Sequence, residues 1–185
     1  MKKRCWNVKE QIYIDYHDKE WGVPAHDDRL LFEYLILEGV QAGLNWLTVL
    51  RKRENFRRAF DNFEPSTVAD YDEGDIKRLL SDPGIIRNRL KIRSAVNNAR
   101  CTMQVIDEFG SFDTYIWGFV GGQTIRHRFE RFEDMPVFTD EAEQMSKALK
   151  KRGFKFVGPT ICYSFMQAVG MVNDHLTWCF RYNEV

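Results

Sequence analysis

Helix start and stop signals recur along this 185-residue chain, and no segment alternates apolar and polar residues between hairpin turns. That pattern predicts an all-α fold. Asp27 or Asp28 caps a helix dense in apolar residues (Leu30, Leu31, Phe32, Tyr34, Leu35, Ile36) that runs into 38–43. There Glu38 and Gln41 share a helix face, Gly43 can take positive φ and stop the helix, and Asn45 caps the next one, over 46–60. Glu64-Pro65-Ser66 breaks that second helix. Further helices are expected over 72–80, 88–109, 111–120, 139–152 and 159–170. The stretch 121–138 reads as a long connection with little regular structure. The length suits one domain spanning 1–185.

Aromatic residues crowd the first quarter of the chain: Trp6, Tyr13, Tyr16, Trp21 and Trp46. A short helix there puts Tyr13, Tyr16 and His17 on one side. No apolar run follows the N-terminus, and no stretch approaches the ~20 apolar residues of a membrane span. A cytoplasmic protein is therefore expected, a monomer with no membrane partner. In that compartment cysteines point to metal binding or burial rather than disulfides. His175 and Cys179 stand at i and i+4, one turn apart on one helix face, and Cys5 and His17 come from the N-terminal segment. Together they make a Cys₂His₂ set suited to tetrahedral Zn²⁺, with no open position, so a structural metal joining the two ends of the chain. Cys101 and Cys162 lie inside helices and are expected to be packed.

The net charge of zero hides segregation. Arg87, Arg89, Lys91, Arg93 and Arg100 form one run without an acid; Lys147, Lys150, Lys151, Arg152 and Lys155 form another. Arg51, Lys52, Arg53, Arg57 and Arg58 cluster around Glu54. Basic patches on a neutral chain can still attract nucleic acid, because the local field decides. The second run lies in a helix–hairpin–helix pattern over 146–170, where Gly153 and Gly158 allow a tight turn. The helix beginning at Pro159 leaves N–H groups to hold a phosphate, reinforced by Lys151 and Lys155.

Several stretches together resemble the 3-methyladenine DNA glycosylase I family, within the helix–hairpin–helix glycosylases. They are Tyr13-Ile14-Asp15-Tyr16-His17-Asp18-Lys19-Glu20-Trp21-Gly22-Val23-Pro24, Leu37-Glu38 through Asn55, Gly84-Ile85-Ile86-Arg87, 146–158, 160–168 and Val172-Asn173-Asp174-His175. The resemblance spans nearly the whole chain. It implies a helix–hairpin–helix bundle with its zinc site on Cys5, His17, His175 and Cys179. It implies a monofunctional enzyme that removes 3-methyladenine from alkylated double-stranded DNA by hydrolysing the N-glycosidic bond. By that resemblance Glu38, Tyr16 and Trp46 form the base pocket, with Trp6, Tyr13 and Trp21 in or behind its wall. Gly43-Leu44 is the loop that probes the gap left by the flipped nucleotide.

The chain departs from the pattern in having Cys5 and Trp6 adjacent, where the family has a residue between them. Asn173 also stands where the wider superfamily carries a catalytic aspartate, an absence typical of this family. The chemistry tolerates it, because N3 methylation already makes adenine a cationic leaving group. Glu38 is then expected to recognise the base and support its charge, with activation of water a lesser role. No lysine is evidently placed as a Schiff-base nucleophile, so no strand cleavage is expected. The rival readings are a non-catalytic module that binds alkylated DNA, and an aromatic-cage binder of another organic cation.

Overall fold

The computed structural model describes residues 2–185. Among them the chain forms α1 (Gln11–Lys19), α2 (Asp28–Gln41), α3 (Trp46–Ala59), α4 (Pro65–Ala69), α5 (Glu73–Ser81), α6 (Arg89–Phe109), α7 (Phe112–Trp117), α8 (Asp140–Lys151) and α9 (Pro159–Ala168). The helices expected up to residue 170 are present, and Pro65 opens the short α4, where a plain break was expected. The fold is mostly helical rather than purely so. Two-residue strands β1 (Ile125–Arg126) and β2 (Val172–Asn173) pair in parallel, with Ile125 opposite Val172. β1 and a 3₁₀ turn at Phe132–Asp134 are the regular structure in the long connection. No helix among the described residues is long and apolar enough to cross a membrane.

Helix α2 is the centre. Every residue from Leu31 to Val40 is buried, and the helix packs against α3, α6, α7 and α9. A helix apolar nearly all round belongs inside. Both aspartates at its start are used, for different helices. Asp27 accepts from the Leu30 N–H at 2.8 Å, while Asp28 accepts from the N–H groups of Phe112 and Asp113 and so caps α7.

Inside α2, Glu33 is fully buried and ion-paired to Arg53 at 2.6 Å and Arg57 at 2.8 Å. Arg53 also reaches Glu20 at 2.5 Å, which accepts from the Tyr34 hydroxyl at 2.7 Å. The cluster at 51–58 is therefore not one basic patch, because two of its arginines turn inward to neutralise a core carboxylate. The run at 87–100 is likewise partly internal. Lys91 on α6 donates to the Val40 and Ala42 carbonyls at 2.7 and 2.6 Å, closing the C-terminus of α2.

The ends of the chain meet beside α9. A Cβ on Gly170 would lie 2.4 Å from the Val23–Pro24 backbone, so only glycine lets the link between α1 and α2 pass there. Asn173 is buried, its Nδ2 donating to the Tyr182 and Val185 carbonyls at 3.0 and 2.9 Å. The helix expected to carry His175 and Cys179 does not form. Its N–H groups are taken by other partners: His175 donates to the nearby Asn173 Oδ1, Leu176 to Cys5 Sγ and Thr177 to the Phe129 carbonyl. A turn through Leu176–Cys179 brings the two side chains together instead.

Replacing Glu33 with alanine removes the buried carboxylate that Arg53 and Arg57 share and leaves them only Glu20 and Glu54 at its edge. The unfolding free energy is expected to fall by about 3–5 kcal/mol, read from urea titration. An unchanged midpoint would show that the network adds nothing.

Candidate active site and the Cys/His cluster

At the C-terminal end of α2 a cavity of about 230 Å³ opens. Helix α1 contributes Tyr13 and Tyr16, α2 gives Glu38 and Gln41, the first turn of α3 gives Trp46, and α9 gives Ser164 and Gln167. Trp6 and Trp21 complete the aromatic wall. Trp6 lies nearly parallel to Tyr16 with ring centroids 6.2 Å apart, and Tyr16 meets Trp46 at 5.4 Å. The expected set of Glu38, Tyr16, Trp46, Trp6, Tyr13 and Trp21 thus lines one cavity. Gln41, Ser164, Gln167, Phe132 and Met135 join it beyond the expected set. The α9 pair could have been found from the helical spacing of 164 and 167. Phe132 and Met135 sit in the irregular connection, where no periodicity marks them.

Glu38 contrasts with Glu33. It is buried, yet no hydrogen-bond or ion-pair partner reaches it from the described residues, and desolvation pushes its carboxyl up to about 8. Burial, with Glu38 nearby, also raises the Tyr13 phenol. The indole N–H of Trp46 is buried without a partner. The cavity therefore offers a carboxyl without a protein partner and several π faces, a combination suited to a flat, polar-edged cation.

A second hollow of about 190 Å³ continues from Glu38 between the 42–45 loop and the start of α9. Gly43 takes φ +78°, which turns the loop outward and leaves Leu44 41% exposed at its tip. Asn45 restarts the chain as α3 by accepting from the Thr48 N–H at 2.9 Å. Across the hollow, α8 and α9 are joined by the turn 152–158. Asn98 of α6 fixes that turn from below, donating to the Lys155 carbonyl at 2.9 Å and accepting from the Lys155 N–H at 2.8 Å. Gly153 has φ +91°, and the side chains of Lys151 and Lys155 stand exposed. Asn98 escaped the sequence reading because a single amide in a long helix carries no pattern.

Behind the aromatic wall, Cys5, His17, His175 and Cys179 are all buried, their ligand atoms within 4.8 Å of one another. Cys5 Sγ lies 3.4 Å from His175 Nδ1, and Cys179 Sγ lies 3.5 Å from His17 Nε2 and 3.6 Å from His175 Nδ1. A tetrahedral zinc with ~2.3 Å sulfur and ~2.0 Å nitrogen bonds sets sulfur–nitrogen edges of ~3.5 Å. Each imidazole is also oriented through its other nitrogen, His17 by Asp18 at 2.8 Å and His175 by the Trp21 carbonyl at 3.0 Å. The contact between the thiols raises Cys5 and lowers Cys179, the latter helped by both imidazoles. The adjacency of Cys5 and Trp6 is accommodated at a bend, with the thiol in the cluster and the indole in the cavity wall. Neither Asn173 nor Asp174 lines the cavity, and Glu38 is its sole carboxylate among the lining residues.

Over residues 6–182 the chain matches the family model described as Methyladenine glycosylase. It is 50% identical to DNA-3-methyladenine glycosylase 1 of Escherichia coli (strain K12) over 181 residues, 97% of each protein. It is 45% identical to the DNA-3-methyladenine glycosylase of Haemophilus influenzae over 180 residues, again 97% of each. A crystal structure of 3-methyladenine DNA glycosylase I, 50% identical, superposes with a TM-score of 0.92 over 96% of this chain and 98% of that one. A variant of 3-methyladenine DNA glycosylase I in complex with 3-methyladenine, 38% identical, superposes at 0.93 over 97% of both chains. With so long a match at such identity, the chain belongs to the methyladenine glycosylase family.

Proposed function

We infer that the cavity receives a 3-methyladenine base extruded from alkylated DNA and that the protein hydrolyses its N-glycosidic bond. The observation that carries this reading is Glu38, a buried carboxyl with no partner, facing an aromatic wall in a chain of this family. Methylation at N3 makes the adenine cationic. Aromatic faces attract such a cation by ~0.5–2 kcal/mol each, and Glu38 supplies the opposite charge. Held up at about 8 by burial, Glu38 alone is protonated at neutral pH; a cation beside it favours the carboxylate. Docking of the charged base therefore releases a proton. When the bond from C1′ to the base breaks, the base keeps the electron pair and leaves neutral. Water adds to C1′ and loses its proton to solvent. Such a leaving group needs no general acid, in accord with a lining that holds neither a second carboxylate nor a lysine. The enzyme is thus a hydrolase of N-glycosyl bonds, read here as monofunctional and without strand cleavage.

Extrusion requires the backbone to be held and the gap to be filled. The turn 152–158 reads as the hairpin of a helix–hairpin–helix, with Lys151, Gly153, Lys155, Gly158 and the N–H groups of α9 against phosphates of duplex DNA. Leu44, carried outward by Gly43, is the side chain placed to occupy the vacated stack. The Cys₂His₂ cluster fits Zn²⁺ in donor type and spacing. Four protein ligands leave no open position, so the metal would supply structure by tying Cys5 and His17 to His175 and Cys179.

Release of free 3-methyladenine from methylated duplex DNA tests the reaction, and wild type is expected to release it. Glu38→Gln is expected to slow release about 10- to 100-fold, the scale of one lost charged hydrogen bond. A rate equal to wild type would remove Glu38 from the chemistry. The same substitution has an opposite effect on stability. A carboxyl raised by folding stabilises fully below its unfolded value, and that contribution drains away as pH climbs through about 8. Glu38→Gln should therefore match wild type in thermal melts at pH 5 and exceed it at pH 9, by a few kcal/mol at most. Equal curves at both pH values would mean that Glu38 is hydrated. For the metal, Cys179→Ser should lower zinc per chain on elemental analysis and drop Tm by more than about 5 °C. Full zinc content would strike Cys179 from the ligand set.

A further inference from the structure

Behind the α9 wall of the cavity lies a polar cluster that the reaction above does not use. Asp174 is 1% exposed, and its oxygens collect three donors. His127 Nδ1 lies 2.6 Å from Oδ1, while the Tyr163 hydroxyl and Gln167 Nε2 lie 2.5 and 2.7 Å from Oδ2. Of these residues only Gln167 lines the cavity. The cluster joins α9 to β2 and to the long connection that brings Phe132 and Met135 to the opposite wall.

An amide has two unlike ends, and a carboxylate only accepts. Gln167 must therefore turn its NH₂ toward Asp174, because the flipped amide would set two acceptors face to face and leave the buried Oδ2 short of a donor. Its carbonyl oxygen is the end left over. No donor among the described residues takes up that oxygen, and it belongs to a side chain in the cavity wall. The wall thus carries an acceptor whose direction is set from behind.

Free 3-methyladenine has N–H donors only on its 6-amino group, and it has two of them. 3-Methylguanine carries a carbonyl at the same ring position. A fixed acceptor beside that position favours the adenine, and an unmatched acceptor–acceptor pair is penalised more than a missing contact. We propose that Gln167 reads the 6-amino group of the extruded base through its side-chain carbonyl, with Asp174 as the positioning residue that fixes the amide. This inference rests on the base-excision reading and names a determinant of its specificity.

The test compares binding of free 3-methyladenine and of 3-methylpurine, the same base without the amine, followed by calorimetry. Wild type is expected to prefer 3-methyladenine. In Gln167→Met that preference should shrink about 5- to 10-fold, the scale of one hydrogen bond, while 3-methylpurine binds as it does to wild type. An unchanged preference would overturn the proposal and leave the glycosylase reading standing. If Gln167→Met loses both bases equally, Asp174→Asn decides, since an asparagine no longer dictates the amide's orientation. Its preference should then fall, and a preference equal to wild type would overturn the proposal. A wild type that binds neither base and releases none from DNA would overturn the functional reading and this one with it.

Discussion

Burying Glu33 is possible because Arg53 and Arg57 come inward with it from α3. Five residues further along α2, Glu38 is buried with no such escort. The two glutamates sit on one rigid helix, so neutralising the first fixes where the second must stand. Around them the helix is packed on every side, and Lys91 ties off its last carbonyls. A charge without a partner in such surroundings is costly, so Glu38, where the cavity opens, is pushed toward its neutral form. The cost becomes useful when the arriving group is a cation.

Much of this was legible in the sequence, for reasons that differ by residue. The helices were marked by caps with local chemistry, as at Asn45 and at Asp27, and those signals act over three or four residues. Helical spacing put Tyr13 and Tyr16 on one side of their helix, but it was the family resemblance that joined them to Glu38 and Trp46 as one wall. His175 and Cys179 were grouped correctly for an incorrect reason. Their spacing suggested a helix, but the N–H groups of Leu176 and Thr177 are spent on Cys5 and Phe129, which no local pattern announces. The basic runs misled for a related reason. Whether an arginine faces water or Glu33 depends on a partner twenty residues away in sequence. Phe132, Met135 and Asn98 act through tertiary placement alone.

The arrangement separates three tasks. The end of α2 with α1 and α3 forms the cavity proposed to take the cationic base. The 42–45 loop and the 152–158 turn flank the hollow that leads to it. The Cys/His cluster lies behind the wall, with Trp21 serving both, its ring in the cavity and its carbonyl on His175. A shift in the cluster would reach the cavity through Trp21 and through Trp6, which follows Cys5 and packs against His17. Asn173 serves architecture, as a clamp on the Tyr182 and Val185 carbonyls.

The meeting of the two ends has a consequence for how the protein is made. Ribosomes deliver residues 5–21 well before residues 175–179, so the cluster that backs Trp6 and Trp21 lacks two members until His175 and Cys179 emerge. During synthesis the aromatic wall has nothing to lean on, and the Val23–Pro24 link waits for Gly170 to arrive beneath it. Contacts of such long sequence separation form late and slowly. The nascent chain therefore carries exposed tryptophans and cannot complete the cavity, and a product truncated before residue 175 would be sticky rather than partly active.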